Sequence, residues 1–308
     1  MISDFYCLTI IAHSDSLSQD SLKQFENFLQ NELHIEIELT QELSPGKVFD
    51  YRVETKKPED ILSRIRDRPL NFMANCDIIL QKEAGRKTRK LVVFDMDSTL
   101  IYQEVIELIA AYANIEKEIA RITEKAMNGE LDFTQSLEER VLLLKGIDST
   151  RIWEELKEKI VITKGARELC KALSRLGCIT GVFSGGFLPL ATYVKQSLGL
   201  DYAFANQLGT DSNNLLDGTL KSEIVNGEKK ADLLSEIAKK HKIDTTDAIA
   251  VGDGANDLPM MSTAGFGVAW NAKPKVQELA PCSLNTNSLL DILYIMGFSD
   301  GEIQTLTQ

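Results

Sequence analysis

The sequence lacks the residues that build disulfide-rich, zinc-thiolate or membrane proteins. Its 308 residues include 5 cysteines but no Cys-x-x-Cys pair, which argues against both a zinc site and a disulfide framework. No apolar run approaches the length of about 20 residues that a membrane span requires. The opening residues, Met-Ile-Ser-Asp, also lack the basic start of a signal peptide. These absences predict a cytoplasmic location.

Basic residues are the minority among the charged ones. The chain has 34 lysine and arginine residues against 46 aspartate and glutamate residues. Nucleic acids and anionic membranes attract positively charged surfaces, so neither is an expected partner. A hydrophobic content of 44% is that of an ordinary globular chain, and the length allows one large or two unequal domains.

The first 84 residues alternate strand and helix patterns in the order βαββαβ. Strands are predicted at 5–12, 34–40, 47–54 and 74–81, with helices after Ser18 and from Pro58 to about Arg66. This order is typical of a ferredoxin-like α+β module. The basic segment 84–90 that follows is predicted to be a solvated linker.

From Leu91 onward the pattern predicts an α/β fold with a doubly wound parallel sheet, within a domain of residues 85–308. Candidate strands lie at 91–94, 178–183, 201–205, 248–251 and 266–269. Between the first two strands, residues 104–162 are almost entirely helical in pattern. This insertion is predicted to form a helical cap over one edge of the sheet.

The most informative stretch is 91–100, an apolar run that ends in Asp95 and Asp97. Such a run is typical of a buried parallel strand at its carboxyl end, where open α/β sheets bind ligands. In extended geometry the two carboxylates point the same way, with Cα atoms about 6.6 Å apart. A calcium-binding EF-hand is excluded, because Leu100 and Ile106 replace its glycine and glutamate. The aspartate pair by itself is consistent with two interpretations, a solvated acidic turn and a reaction site.

Two further predicted strands end in polar loops. Ser184 and Gly185 follow one strand and could direct a hydroxyl and backbone N–H groups toward an anion. Asp253, Asn256 and Asp257 follow another and offer the oxygen ligands that suit Mg²⁺. Taken singly, each loop is equally an ordinary turn or helix start. Together they supply the nucleophile, anion cradle and metal ligands of phosphoryl transfer.

Two cations have unusual positions in the predicted helices. Lys229 has a salt-bridge partner three residues later in Asp232, whereas Lys230 shares its face with Leu233 and is predicted to point inward. Arg140 has mostly apolar neighbours three and four residues away, and none of these neighbours is an acidic partner. It therefore either extends along an apolar face or binds a carboxylate from outside the helix.

These residues carry a resemblance to a known family. Asp95-Met-Asp-Ser-Thr-Leu, Ser184-Gly-Gly-Phe, Lys230 and Gly252-Asp-Gly-Ala-Asn-Asp resemble, in order, the four motifs of the haloacid-dehalogenase-like phosphatases. The resemblance covers residues 91–285. The cap is similar to that of family members that act on phosphoserine, at Glu104, Met127, Phe133, Ser136, Leu137, Arg140 and residues 141–145.

The resemblance implies a role for each matched residue. Asp95 would be the nucleophile and Asp97 the general acid and base. Mg²⁺ would be held by Asp95, the backbone carbonyl of Asp97 and Asp253, with Asp257 in support. Glu104 would take the substrate ammonium and Arg140 its carboxylate. The full set of substrate-binding residues implied is Glu104, Met127, Phe133, Arg140, Ser184, Gly185, Lys230 and Asn256.

The implied activity is magnesium-dependent hydrolysis of L-phosphoserine to L-serine and phosphate, the last step of serine biosynthesis, through an aspartyl-phosphate. Two alternatives stay open: a phosphotransferase that passes the phosphoryl group to an alcohol such as homoserine, and a non-catalytic amino-acid sensor. The intact Asp95, Asp97, Lys230 and Asp253 argue against the sensor. Residues 1–84 resemble an ACT domain, which implies a regulatory or dimerisation module and a homodimer, and residues 85–308 form the expected catalytic domain.

Overall fold

The computed structural model describes residues 4–13, 16–67, 70 and 73–308. The strands within them are β1 (Asp4–Ala12), β2 (Ile37–Ser44), β3 (Val48–Thr55), β4 (Cys76–Lys82), β5 (Leu91–Phe94), β6 (Ile179–Phe187), β7 (Tyr202–Asn206), β8 (Leu208–Thr210), β9 (Leu216–Leu220), β10 (Ala248–Gly252), β11 (Phe266–Trp270) and β12 (Cys282–Leu284). The α-helices are α1 (Gln19–Asn27), α2 (Pro58–Asp67), α3 (Val105–Ala113), α4 (Glu116–Met127), α5 (Phe133–Leu142), α6 (Ser149–Lys157), α7 (Ala166–Arg175), α8 (Leu188–Leu198), α9 (Gly227–His241), α10 (Leu258–Thr263), α11 (Pro274–Leu279), α12 (Ile292–Ile295) and α13 (Asp300–Thr307). None of the described helices combines the length and the apolar character needed to cross a bilayer.

The N-terminal part confirms the predicted βαββαβ order. Its strands form an antiparallel sheet in the order β2-β3-β1-β4. Helix α1 begins after Ser18, whose hydroxyl accepts from the N–H of Ser21 at 3.0 Å. Apolar residues of α1 and α2, such as Phe25 and Ile61, pack with Leu8 and Tyr51 in one buried cluster. The helices therefore cover one face of this sheet.

The second part contains a six-stranded parallel sheet in the order β12-β11-β10-β5-β6-β7. This arrangement confirms the predicted α/β class, and each predicted strand lies within a few residues of an observed one. Every residue of β5 is buried, as expected for a central parallel strand. The sequence did not predict the edge strand β12 or the antiparallel pair β8 and β9.

Helices α3 to α6 form the inserted cap. Helix α5 begins with a capping box, in which Asp132 and Gln135 exchange side-chain and backbone hydrogen bonds of 2.8 and 3.0 Å. The cap is joined to the β8–β9 pair, because Gly146 N–H donates to the carbonyl of Leu216 at 2.7 Å. The hairpin therefore fixes one side of the cap to the main body.

Most of the basic segment 84–90 is exposed, as its composition predicted, but Arg86 is not. Arg86 is only 7% exposed, and its guanidinium forms a salt bridge with the buried Asp50 of β3. A buried ion pair compensates for part of the loss of hydration that each charge suffers on folding. For Arg86, the prediction from local charge density is wrong, since its partner Asp50 lies far away in sequence.

The two parts of the chain also share an extensive interface. Asp77 of β4 accepts from the backbone N–H of Asn285 at 2.6 Å, and the amide of Gln81 donates to the carbonyl of Ile295 at 2.6 Å. The apolar side chains of Ile11, Leu43, Val48 and Ile79 belong to the same buried cluster as residues of the α/β part. The second face of the N-terminal sheet is therefore buried against the α/β part.

Candidate active site

The end of β5 places Asp95 at the carboxyl edge of the parallel sheet. The N–H of Asp95 donates to the carbonyl of Val251 at 2.8 Å and continues the pairing of β5 with β10. A tight turn follows over Met96–Leu100, with Ser98 in the left-handed region at φ 53°. The turn keeps Asp97 beside Asp95, and both carboxylates line the same cavity.

Lys230 lies behind Asp95. It is 0% exposed, as its place on the apolar face of α9 predicted, and its ammonium is 2.5 Å from Asp95 Oδ1 and 2.7 Å from Asp257 Oδ1. Two carboxylates that bond one buried ammonium satisfy a charge that burial alone would make costly. Its neighbour Lys229 pairs with Glu223 at 2.8 Å, whereas the sequence had suggested Asp232.

Three aspartates form an acidic cluster at the strand ends. Asp95, Asp253 and Asp257 each offer a carboxylate oxygen, and these oxygens all lie within 4.8 Å of one another. Asp253 Oδ1 accepts from the hydroxyl of the buried Thr99 at 3.2 Å, and Asp257 Oδ2 accepts from Gly254 N–H at 3.0 Å. An all-oxygen donor set of this kind fits a hard cation such as Mg²⁺. Both oxygens of Asp257 are already hydrogen-bonded, which suits a supporting position better than a direct ligand.

The last part of β6, residues 184–186, is closely packed and is called the Ser184 loop here because its pairing with β7 is interrupted after Phe183. Ser184 is 1% exposed, and its Oγ accepts from the N–H of Gly186 at 2.9 Å. A Cβ atom on Gly185 would lie 3.0 Å from the ring of Phe133 in the cap. Glycine at this position therefore allows the cap to approach the loop.

Two oppositely charged cap residues face the aspartates. Glu104 Oε1 accepts from the hydroxyl of Ser98 at 2.7 Å. One terminal nitrogen of Arg140 donates to Thr123 Oγ1 at 3.1 Å, while its buried Nε has no hydrogen-bond partner within the described chain. A buried donor without a partner is costly, so it is a suitable position for an anionic ligand.

Burial raises the pKa values of three aspartates in the site. Loss of solvation, followed by the negative charge of Glu104, raises the pKa of Asp97 to about 8. Burial followed by the charge of Asp257 raises the pKa of Asp253 to about 6. The same two causes raise the pKa of Asp95 well above its usual range, although Lys230 opposes them. Separate pKa values for neighbouring carboxyl groups are typical of acid and base pairs in active sites.

One cavity of 530 Å³ joins the sheet edge to the cap. Of the residues proposed from sequence, those in its wall are Asp95, Asp97, Glu104, Phe133, Arg140, Gly185, Asp253 and Asn256. Ser184, Lys230 and Asp257 are buried directly beneath this wall. The side chain of Met127 lies outside the described part of the structure. Asp95 and Asp97 therefore line the same cavity as the two charged cap residues, Glu104 and Arg140.

Sequence reasoning missed several residues of the site. Ile106, Leu258, Lys273, Lys275 and Leu279 also line the cavity. No local pattern distinguishes Lys273, Lys275 and Leu279, because α11 reaches the cavity only through the packing of the sheet. Thr99 belongs to the first motif, but its contact with Asp253 was not predicted from the sequence. Its hydroxyl lies close in sequence to two aspartates, and this is a signal that could have suggested a hydrogen bond to a carboxylate.

Comparisons with known proteins agree with this arrangement. The haloacid dehalogenase-like hydrolase family matches residues 89–265. A phosphoserine phosphatase of Saccharomyces cerevisiae is 43% identical over 97% of this chain and 98% of its own length. A solved structure of a HAD family hydrolase from Salmonella enterica serovar Typhi has a TM-score of 0.80 and 26% identity, and it covers 95% of this chain and 98% of its own.

A third relative matches only part of this chain. A solved phosphoserine phosphatase, described as a phospho-aspartyl intermediate analogue, is 41% identical with a TM-score of 0.62, over 67% of this chain and 98% of its own. The chain therefore belongs to the phosphoserine phosphatases of the haloacid dehalogenase-like hydrolase family.

Proposed function

We propose that this chain hydrolyses L-phosphoserine to L-serine and phosphate, with Mg²⁺ as cofactor and an aspartyl-phosphate intermediate. One observation carries the proposal: Asp95 bonds the buried Lys230 and lies in the same cavity as Glu104 and Arg140. A nucleophile beside a phosphate-binding cation thus faces groups of the correct charge for an amino acid. This reaction is consistent with membership of the family and would complete serine biosynthesis.

The acidic cluster is the proposed metal site. Asp95, Asp253 and the backbone carbonyl of Asp97 would hold Mg²⁺, while Asp257 orients Lys230 and the loop at Gly254. When bound, Mg²⁺ offsets the repulsion between a carboxylate nucleophile and a phosphate dianion. The hydroxyl of Thr99 orients Asp253, so the cluster is partly ordered by the chain itself.

Asp95 and Asp97 would divide the chemistry. A carboxylate oxygen of Asp95 attacks phosphorus, and the bond from phosphorus to the serine oxygen breaks as Asp97 donates its proton to that oxygen. In the second step Asp97 accepts a proton from water, whose oxygen attacks phosphorus and releases Asp95. The raised pKa of Asp97, about 8, keeps its proton available at neutral pH.

The cap would select the amino acid. Arg140 lines the cavity and its buried Nε has no partner within the described chain, and Glu104 supplies a carboxylate that suits an ammonium group. Met127 and Phe133 would complete the pocket around the substrate. Ser184, Gly185, Lys230 and Asn256 would bind the phosphate, with backbone N–H groups, a hydroxyl and an ammonium as donors.

The test is a product balance with purified protein, Mg²⁺ and L-phosphoserine. We expect one inorganic phosphate for each L-serine formed. The same assay with homoserine or another alcohol present separates hydrolysis from transfer. If less free phosphate than serine forms and a phosphorylated alcohol accounts for the difference, the protein is a phosphotransferase. If there is no turnover, the amino-acid sensor remains as the explanation.

Residues 1–84 form the proposed ACT-like regulatory or dimerisation domain, and residues 85–308 the catalytic domain. The proposal is supported by the antiparallel βαββαβ sheet and by the absence of residues 1–84 from the cavity wall described above. The exposed edge strand β2 favours pairing with a second copy. A chain that begins at Lys87 should still hydrolyse phosphoserine and lose dimerisation or serine modulation, measured by turnover and sedimentation. We also propose a cytoplasmic location.

A further inference from the structure

The side chain of Asn206 joins two elements that would both bind phosphate. Asn206 ends β7 and is 0% exposed. Its Nδ2 donates to the carbonyl of Gly185 at 2.8 Å, and its Oδ1 accepts from Val225 N–H at 2.8 Å. Because a carbonyl only accepts and an N–H only donates, these partners fix the orientation of the amide. One buried side chain therefore connects the Ser184 loop to the segment before α9.

The first of these bonds controls the Ser184 hydroxyl. The peptide unit between Gly185 and Gly186 is planar, so holding its carbonyl also fixes the direction of its N–H. That N–H donates to Ser184 Oγ at 2.9 Å. Since the oxygen accepts this bond, its own hydrogen remains available to donate to an anion.

The second bond controls the start of α9. Val225 precedes Asn226, which caps the helix by accepting from the N–H of Lys229 at 2.9 Å. The carbonyl of Asn226 then accepts from the N–H of Lys230 at 3.0 Å. Lys230 therefore lies near the start of α9, and Asn206 binds the residue just before that start. The position of the Lys230 ammonium depends on this contact.

We propose that Asn206 is a positioning residue that sets the distance between the Ser184 hydroxyl and the Lys230 ammonium. The inference rests on the proposed function, in which both groups bind the same phosphoryl group. Asn206 itself contacts neither the substrate nor the reacting atoms. Its effect is on geometry, and a misplacement of about 1 Å in such a site costs about 10²-fold in rate.

Two variants remove the connection in different ways. Asn206→Asp keeps an acceptor for Val225 N–H but loses the donor to Gly185 and places a carboxylate beside that carbonyl. Asn206→Ala leaves space in which water could replace both bonds, so it is the milder change and serves if the first variant does not fold. Thermal unfolding of each protein establishes that it is folded before kinetics are compared.

Thr180→Val is the matched control. Thr180 is buried in the same strand β6, at the opposite end from Ser184, and its hydroxyl donates to Asp201 at 3.1 Å. The change removes this bond and a longer one of 3.4 Å, in which the hydroxyl accepts from the N–H of Asp201, without touching Ser184 or Gly185. It therefore measures the general cost of weakening this part of the sheet.

The decisive readout is competitive inhibition by two products that use different parts of the site. For Asn206→Asp we expect kcat/KM to fall about 10²-fold and inhibition by inorganic phosphate to weaken about tenfold. Inhibition by L-serine, which would bind through Glu104 and Arg140, should stay within about twofold. Thr180→Val should leave both inhibition constants unchanged.

Three results would overturn the inference: an unchanged phosphate inhibition constant, an equal loss for phosphate and serine, or the same split in Thr180→Val. Failure of the unaltered protein to hydrolyse phosphoserine would instead count against the proposed function. In that case calorimetric binding of inorganic phosphate in the presence of Mg²⁺ replaces inhibition. Equal phosphate affinity in the unaltered protein and both Asn206 variants then overturns the role of Asn206.

Discussion

The ammonium of Lys230 lies 2.5 Å from the carboxylate of Asp95, and neither side chain is more than 8% exposed. The contact brings the carboxyl end of β5 together with a helix that begins more than a hundred residues later. It keeps an anionic nucleophile next to the cation that would offset the charge of phosphate. This pairing gives rise to the first prediction.

Asp95→Asn should abolish turnover while keeping the fold. The amide still accepts a hydrogen bond from Lys230 but is not a nucleophile, so kcat should fall by on the order of 10³ or more, or about 4 kcal/mol of barrier. Turnover of L-phosphoserine and the thermal unfolding midpoint are measured together. Near-normal turnover in the folded variant would exclude the aspartyl-phosphate mechanism.

Removal of divalent metal should abolish activity, and Mg²⁺ should restore it. The cluster of Asp95, Asp253 and Asp257 offers only oxygen donors, which suit a hard cation. Calcium should bind and inhibit, because its looser geometry allows both oxygens of Asp95 to chelate. Activity is titrated against Mg²⁺ after chelation, with and without Ca²⁺. Full activity in excess chelator would contradict the metal assignment.

Arg140→Ala should harm phosphoserine hydrolysis much more than hydrolysis of a simple aryl phosphate. Only the amino acid has a carboxylate for the Arg140 guanidinium, whose Nε has no partner within the described chain, and a charge-assisted bond of this kind contributes roughly 1.5 to 3 kcal/mol. The expected loss in kcat/KM is about 10 to 10²-fold. Arg121 is an exposed arginine on α4 of the same cap, so Arg121→Ala is the control. It should leave kcat/KM unchanged for both substrates. Equal losses on both substrates for Arg140→Ala would indicate a structural arginine.

Asp97→Asn should stabilise the metal-free protein at alkaline pH. The pKa of Asp97 is raised from 3.8 to about 8 in the folded state, so between these values the folded state holds a proton that the unfolded chain has lost. The free energy of unfolding therefore falls as pH rises across this interval. The substitution removes this penalty and should add about 1 to 2 kcal/mol at pH ~8.

The same variant should show little advantage near pH ~3, below the unfolded value of 3.8, where the carboxyl is largely protonated in both states. Chemical unfolding in the presence of chelator, at both pH values, measures the difference. Catalysis should be lost in parallel, because an amide neither donates the required proton nor accepts one. An equal stabilisation at both pH values would show that the effect does not arise from titration of Asp97.

Arg86→Ala should destabilise the whole chain. It leaves Asp50, which is 4% exposed, without its buried cation, and breaking such a pair typically costs about 3 to 5 kcal/mol. Lys87→Ala is the adjacent control, since Lys87 pairs with Glu302 at 2.7 Å at the surface, where a pair contributes about 0 to 1 kcal/mol. Denaturant unfolding of both variants provides the comparison. Equal costs would show that Arg86 is no more important than a surface charge.

The sequence by itself determined the order of the elements and the chemistry of the strand ends. Apolar runs such as 91–94 specify buried strands because parallel strands lose water on both faces. Asp95, Ser184 and Asp253 follow such runs directly, so the position of each at the carboxyl edge is a consequence of local pattern. The same rule was available for Asn206, which follows the predicted strand 201–205 and was overlooked.

Only the tertiary structure decided which distant groups meet. The burial of Arg86 depends on Asp50 in another strand, and the closeness of Gly185 to Phe133 depends on how the cap lies over the sheet. Hydrogen bonds and ion pairs act over a few ångströms in space, whatever the separation along the chain. A basic run therefore predicted solvent exposure correctly for Lys87 and wrongly for Arg86, because burial is set by the surface that folds against each side chain.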